Sequence, residues 1–189
     1  MAQDLRTDEA LMLAYRGGEG AAFEALYARW RGPLYRYFLR QCGHAGQADE
    51  LFQDVFMRVI GAAAGYEPTA KFTTWLFRIA HNRLVDHWRK TGREPVDPLD
   101  AEDEDGAFDP PAPEAAAPHR RAEQKELGRA LMAALNELPE LQREAFLLAE
   151  EGGLTLEEIA SVAGVGRETI KSRLRYATAK LRSKLESWR

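Results

Sequence analysis

The chain has 189 residues, 45% of them hydrophobic and 30% charged, with a formal net charge of −4. That is enough for one large or two small globular domains with abundant surface charge. Cys42 is the only cysteine, which excludes an intrachain disulfide and fits a reducing compartment. No run approaches the roughly 18 apolar residues of a membrane span, and Met1-Ala2-Gln3-Asp4-Leu5-Arg6 lacks a signal peptide's apolar core. The expectation is a cytoplasmic protein with no direct membrane insertion.

In chain order, a helix is predicted from Asp8, with Leu11, Met12 and Tyr15 on one face and Gly17-Gly18 stopping it. The next runs from Ala21 to Trp30 and carries Phe23, Leu26 and Tyr27. Pro33 predicts a kink or a restart, after which the helix resumes through Leu34, Tyr35, Phe38 and Leu39 to about Gln41. Gly43 to Gly46 reads as a turn. In Asp49–Ile60 the pairs Leu51/Phe52, Val55/Phe56 and Val59/Ile60 make a broad buried face. Glu50, Gln53, Asp54 and Met57 line the opposite side, a pattern that by itself describes a solvated surface.

Gly61 to Ala70 is a turn of mostly small residues leading into the most informative stretch, Lys71 to Lys90. There Leu76, Ile79/Ala80, Leu84 and Trp88 form an apolar stripe at helical period. Arg78, Asn82, Asp86 and Arg89 turn away from it, with Trp75 one turn before Arg78. Cations hold phosphates, amides read base edges and aromatic rings stack on unpaired bases, so the mixture suits nucleic acid. Composition alone favours an ordinary amphipathic helix with a solvated polar face.

The net charge hides an asymmetry. Between Glu94 and Pro118 lie nine acidic residues and no Lys or Arg. Setting their −9 aside from the total of −4 leaves the remainder at +5. This proline- and alanine-rich segment cannot bury enough apolar surface to offset its ordering entropy, so it reads as a flexible linker. At about 3.3 Å per extended residue it reaches about 80 Å at most, against about 34 Å for one turn of DNA.

From His119 to Leu138 helical periodicity resumes with Leu127, Leu131, Ala134 and Leu135. Pro139 sits at the first turn of the next helix, which holds Leu141, Ala145, Phe146 and Leu148 and ends at Gly152-Gly153. Thr155-Leu156-Glu157-Glu158 is a capping box. Ala160, Gly164 and Ile170, four and then six residues apart, match a helix-turn-helix: a small residue at the helix contact, a turn glycine and a branched anchor. The second helix, about Arg167 to Leu185, is basic; Arg167 to Arg189 holds eight basic and two acidic residues. Arg167, Glu168, Lys171, Ser172 and Arg175 are placed to meet base edges, and Arg173 a base or a phosphate.

Thr74-Trp75-Leu76-Phe77-Arg78-Ile79-Ala80, followed by Asn82, closely resembles the promoter-melting segment of extracytoplasmic-function (group IV) sigma factors. Glu151 to Ala160, followed by Thr169-Ile170-Lys171-Ser172-Arg173, resembles the −35-reading domain of the same family. The resemblance implies an all-α chain of two small helical domains, 1–93 and 119–189, joined by the acidic linker 94–118. It further implies docking of the Asp49–Ile60 helix on the β′ clamp of RNA polymerase core, through Asp49, Glu50, Gln53, Asp54 and Met57, with the β flap as a second contact. The family often opens that helix with Asp-Ala-Glu-Asp, where this chain has Gln47-Ala48-Asp49-Glu50. Promoter −10 DNA would be read and melted by Tyr66, Lys71, Phe72, Thr73, Trp75, Arg78, Asn82 and Arg89. The −35 element would meet Arg167, Glu168, Lys171, Ser172, Arg173, Arg175 and Tyr176. An anti-sigma factor is the implied inhibitory partner.

Two other classes of protein share parts of this pattern. A stand-alone helix-turn-helix regulator would bind duplex DNA unaided. An enzyme or metal protein would have to use Cys42, His44, His81 and His87, yet His81 and His87 are six apart on a helix and face differently. With no Cys-x-x-Cys, Gly-rich phosphate loop or nucleophile elbow, no catalytic residue, metal or cofactor is expected.

Overall fold

The computed structural model describes residues 4–93, 95 and 120–186. The expected linker, 94–118, lies outside the described residues except for Pro95. Helices are α1 (Asp8–Arg16), α2 (Gly20–Cys42), α3 (Ala45–Ala62), α4 (Phe72–Lys90), α5 (Arg120–Asn136), α6 (Glu140–Glu150), α7 (Leu156–Ala163) and α8 (Arg167–Lys184), with a 3-10 turn at Ala63–Gly65. Among the described residues there is no strand, and no helix is long and apolar enough to cross a membrane.

Local chemistry sets most boundaries. The Thr7 hydroxyl accepts the Ala10 N–H at the start of α1, and Asp8 and Glu9 in its first turn complement the helix dipole. α2 is one continuous helix through Pro33. The predicted restart does not occur: burial of Leu26 and Leu34 on either side, against α1 and α3, outweighs the lost backbone bond. α3 begins one turn before Asp49. In the second half the capping box forms as expected, with Thr155 Oγ1 accepting from the Glu158 N–H at 3.3 Å and Glu158 Oε2 from the Thr155 N–H at 2.8 Å. Gly164 ends α7 with φ +68°, a left-handed turn that a Cβ would strain.

The first half, α1 to α4, packs Leu11, Met12, Leu34, Phe38, Val55, Leu76 and Leu84 around one interior. The second buries Leu135, Leu148, Ile159, Ile170, Leu174 and Ala177. Buried residues of both halves form one continuous cluster. Its seam lies where α2 and α4 meet α6 and α7, and there buried Gly152 approaches the Phe77 ring.

Candidate nucleic-acid and docking interfaces

The acidic face of α3 is displayed as the sequence pattern requires. Asp49, Glu50, Gln53 and Met57 are exposed, Met57 to 67%. Asp54 is half-exposed and committed to Arg83 of α4, which donates from Nε to Asp54 Oδ2 at 2.7 Å, with Glu50 Oε1 3.8 Å from Nη2. Arg83 is only 6% exposed. Sequence reasoning missed this residue, although its place beside Leu84 in an apolar stripe is a signal. A cation there needs an acid partner.

The N-terminus of α4 has no side-chain cap of its own. Glu9 of α1 supplies one, accepting the Phe72 N–H at 2.7 Å. Burial pushes the Glu9 carboxyl up, but the Phe72 N–H and the nearby Lys71 charge outweigh it and hold the group below its usual range. Arg16 holds the preceding loop by donating to the Tyr66 carbonyl at 2.7 Å. Tyr66, Phe72 and Trp75 then gather into one aromatic cluster, with ring centroids 5.0 Å apart for Tyr66–Trp75 and 5.7 Å for Phe72–Trp75.

This geometry brings the expected base-capture residues together at one end of α4, but in a closed state. Tyr66 and Phe72 are each 2% exposed, Thr73 and Trp75 half-buried, and the Tyr66 hydroxyl has no hydrogen-bond partner. Lys71, Arg78, Asn82 and Arg89 are exposed. Lys71 pairs with Glu158 of α7 at 3.0 Å, and Arg78 donates to Ser161 Oγ of α7 at 2.7 Å. Arg89 lies 3.9 Å from Asp86.

On α8 the first turn is open. Arg167, Glu168 and Lys171 are exposed, and Ser172 is half-buried. Arg167 donates to Glu157 Oε1 at 2.6 Å, and that hydrogen bond raises its pKa. One turn on, the Arg175 guanidinium lies 4.9 Å over the Tyr176 ring, a cation–π contact. Arg173 is 6% exposed and points into the seam instead of outward.

That seam is a polar one. Glu144 of α6, 2% exposed, accepts from the Tyr37 hydroxyl at 3.0 Å and lies 2.6 Å from His81 Nδ1. Burial, reinforced by the Glu144 charge, pushes the Tyr37 phenol well above its ordinary value. Burial lowers the His81 imidazole, but the Glu144 hydrogen bond and charge more than compensate, so its pKa is raised. Glu151 pairs with Arg36 at 2.9 Å and with Arg40. Beside these contacts lies a cleft of about 430 Å³ lined by His81, Val85, Trp88, Leu141, Val165 and Arg173, among others. Among the described residues no group of three His, Cys, Asp or Glu could hold a metal ion.

The fold and these surfaces define a helical DNA-binding protein with a basic helix-turn-helix in one half and a cation- and aromatic-bearing helix in the other. The sigma-70 region 2 family matches residues 26–94, and the sigma-70 region 4 family residues 128–181. The ECF RNA polymerase sigma factor RpoE of Cereibacter sphaeroides is 36% identical over 180 residues, covering 94% of each chain. Two solved structures are similar. One is CnrH in complex with the cytosolic domain of CnrY, with TM-score 0.68 and 25% identity over 96% of this chain and 99% of that one. The other is RpoE of Bartonella quintana in complex with the anti-sigma factor NepR, with TM-score 0.65 and 26% identity over 88% and 98%. The chain belongs to the extracytoplasmic-function RNA polymerase sigma factor family. Its two sigma regions bind RNA polymerase core and promoter DNA, and the family acts in transcription initiation without being enzymes.

Proposed function

We propose that the two regions divide promoter recognition between them, 1–93 handling core polymerase and −10 DNA and 119–189 the −35 element, with 94–118 as the tether. In this reading the α3 face (Asp49, Glu50, Gln53, Asp54, Met57) docks on the β′ clamp. Lys71, Arg78, Asn82 and Arg89 hold the −10 strands, while Tyr66, Phe72, Thr73 and Trp75 receive a base drawn from the duplex. Arg167, Glu168, Lys171, Ser172, Arg175 and Tyr176 meet the −35 element. Arg173, buried as the structure stands, joins them only if the seam opens.

The observation that carries this reading is the pairing, on one chain and in order, of an aromatic cluster beside surface cations with a basic helix-turn-helix. Cations alone bind duplex; capturing an unpaired base takes a stacking surface, which returns about 1–3 kcal/mol per base. Unpairing costs a few kcal/mol, so several contacts and polymerase are needed together. No chemical step is asked of any residue, and neither cofactor nor metal enters. The protein works where the polymerase is, in the cytoplasm. An anti-sigma factor, of the kind bound to the Bartonella relative, restrains it.

A gel shift on promoter DNA with and without core polymerase tests this. Specific binding and strand opening only with core support it. Tight sequence-specific binding to a short duplex by the protein alone would favour a stand-alone regulator.

A further inference from the structure

The seam is built from groups that a permanent core would rarely use. α6 turns Gln142, Arg143 and Glu144 inward in succession, none more than 6% exposed. The amide of Gln41 is buried beside Tyr37, and the Nε of Arg143 lacks a hydrogen-bond partner. Such groups weaken an interface relative to apolar packing and are better served by water once it parts.

Their placement is specific. Lys71, just before α4, and Arg78 and His81 on it meet Glu158, Ser161 and Glu144, all from the helix-turn-helix half. Two of the cations assigned above to −10 DNA, Lys71 and Arg78, are therefore engaged by the module assigned to the −35 element, although their side chains stay exposed. At the centre one Glu144 oxygen, Oε1, serves both His81 of α4 and Tyr37 of α2.

We propose that Glu144 is the hub of a protonation-sensitive latch, closed by its pairing with the His81 imidazolium, whose opening releases Lys71 and Arg78 from α7 to meet DNA. The proposal rests on the −10 assignment of α4 made above. A buried carboxylate is stable when a cation compensates it, and loss of the imidazolium proton removes the nearest one. The other groups facing this site are the Tyr37 phenol from α2, Arg173 from α8, and Arg89 and Arg93 at and beyond the end of α4. Tyr37 is held protonated by burial, and guanidinium groups keep their charge at physiological pH. His81 alone of these changes charge there. Its pKa is raised above the ordinary 6.5. Stabilisation of the closed form is therefore complete below that ordinary value and is lost as pH climbs through the raised one.

The test uses the full chain with Cys42→Ser and dyes at Arg58→Cys and Ala179→Cys, two exposed positions in opposite halves. Single-molecule transfer efficiency is followed from pH 6 to 9, beside binding of a fluorescent single-stranded DNA pool. The closed-to-open ratio should fall about tenfold or more across this range, as loss of a charge-assisted buried hydrogen bond requires. Glu144→Gln should lower the ratio and flatten its pH dependence. His81→Lys, which keeps the cation, should stay closed throughout, and circular dichroism confirms that each variant is folded. A pH-independent ratio in the parent, or a Glu144→Gln variant that stays as closed as the parent, overturns the latch. If Glu144→Gln opens the chain yet single-strand binding does not rise, the latch stands and the −10 assignment of α4 falls.

Discussion

Arg83 of α4 and Asp54 of α3 are joined by a 2.7 Å hydrogen bond whose cationic side is almost fully buried. The contact ties the helix proposed to dock on polymerase to the helix proposed to open DNA. Removing either partner should destabilise the protein by about 1–3 kcal/mol, the upper end applying to loss of Asp54, which strands the buried guanidinium, and the lower end to loss of Arg83, which leaves a partly solvated carboxylate. A double-mutant cycle with Arg83→Met and Asp54→Asn in urea should return a coupling of the same sign. Strict additivity would show that the bond contributes nothing.

Because Asp54 has this structural duty, polymerase docking is better probed at Glu50 and Met57. Their side chains are largely exposed, with Glu50 only loosely associated with Arg83. Glu50→Lys with Met57→Ala should weaken binding to core about tenfold or more, in line with truncation of interface anchors, while the urea midpoint stays near that of the parent. Unchanged affinity for core would remove the role given to this face.

Tyr66 offers a separation of stability from function. Its hydroxyl is buried without a partner, so Tyr66→Phe should be neutral or stabilising by up to about 1–3 kcal/mol in thermal unfolding. If the cluster receives a base, removing a ring altogether is the damaging change. Trp75→Ala should spare −35 duplex binding and abolish permanganate reactivity of −10 thymines in the presence of core. Asn82→Ala, at an exposed position outside the cluster, should impair opening without affecting stability.

Much of this arrangement was legible in the sequence because it is local. The capping box, the turn glycine Gly164 and the stripe through Leu76, Ala80, Leu84 and Trp88 each depend on residues a few positions apart. The continuity of α2 through Pro33 was not legible, since tertiary packing decides it. Nor were the pairings of Arg83 with Asp54 or His81 with Glu144, whose partners stand 29 and 63 residues away. Glu144, in the polar run Gln142-Arg143-Glu144, reads as part of a solvated face, yet it lies in the seam against Tyr37 and His81. Lys71 and Arg78 were readable as cations beside aromatic residues, but not as cations already engaged by α7.

On α8, Lys171→Ala should cost about 1–3 kcal/mol of −35 binding and relax specificity at one base pair, as a base contact does. Arg182 is an exposed cation near the end of α8; if it meets phosphate, Arg182→Ala should weaken all sequences alike and lower the salt slope by about one. Quantitative binding of holoenzyme to a library of −35 variants at two salt concentrations distinguishes the two patterns.

Gly152 marks the seam from the other side. A Cβ there would lie 2.7 Å from the Leu148 carbonyl oxygen and 3.2 Å from Phe77 Cδ2. Gly152→Ala should therefore lose about 1–3 kcal/mol through overpacking, measured by chemical denaturation. A variant as stable as the parent would show that this approach is looser than it stands.

Transcript 5′ ends mapped genome-wide, from fragmented genomic DNA incubated with core polymerase alone and with core plus this protein, probe the central assignment most directly. The protein should create a discrete set of new start sites sharing two upstream sequence blocks, and Asn82→Ala should silence them without loss of core binding. If the start-site profile is the same with and without the protein, the assignment is wrong.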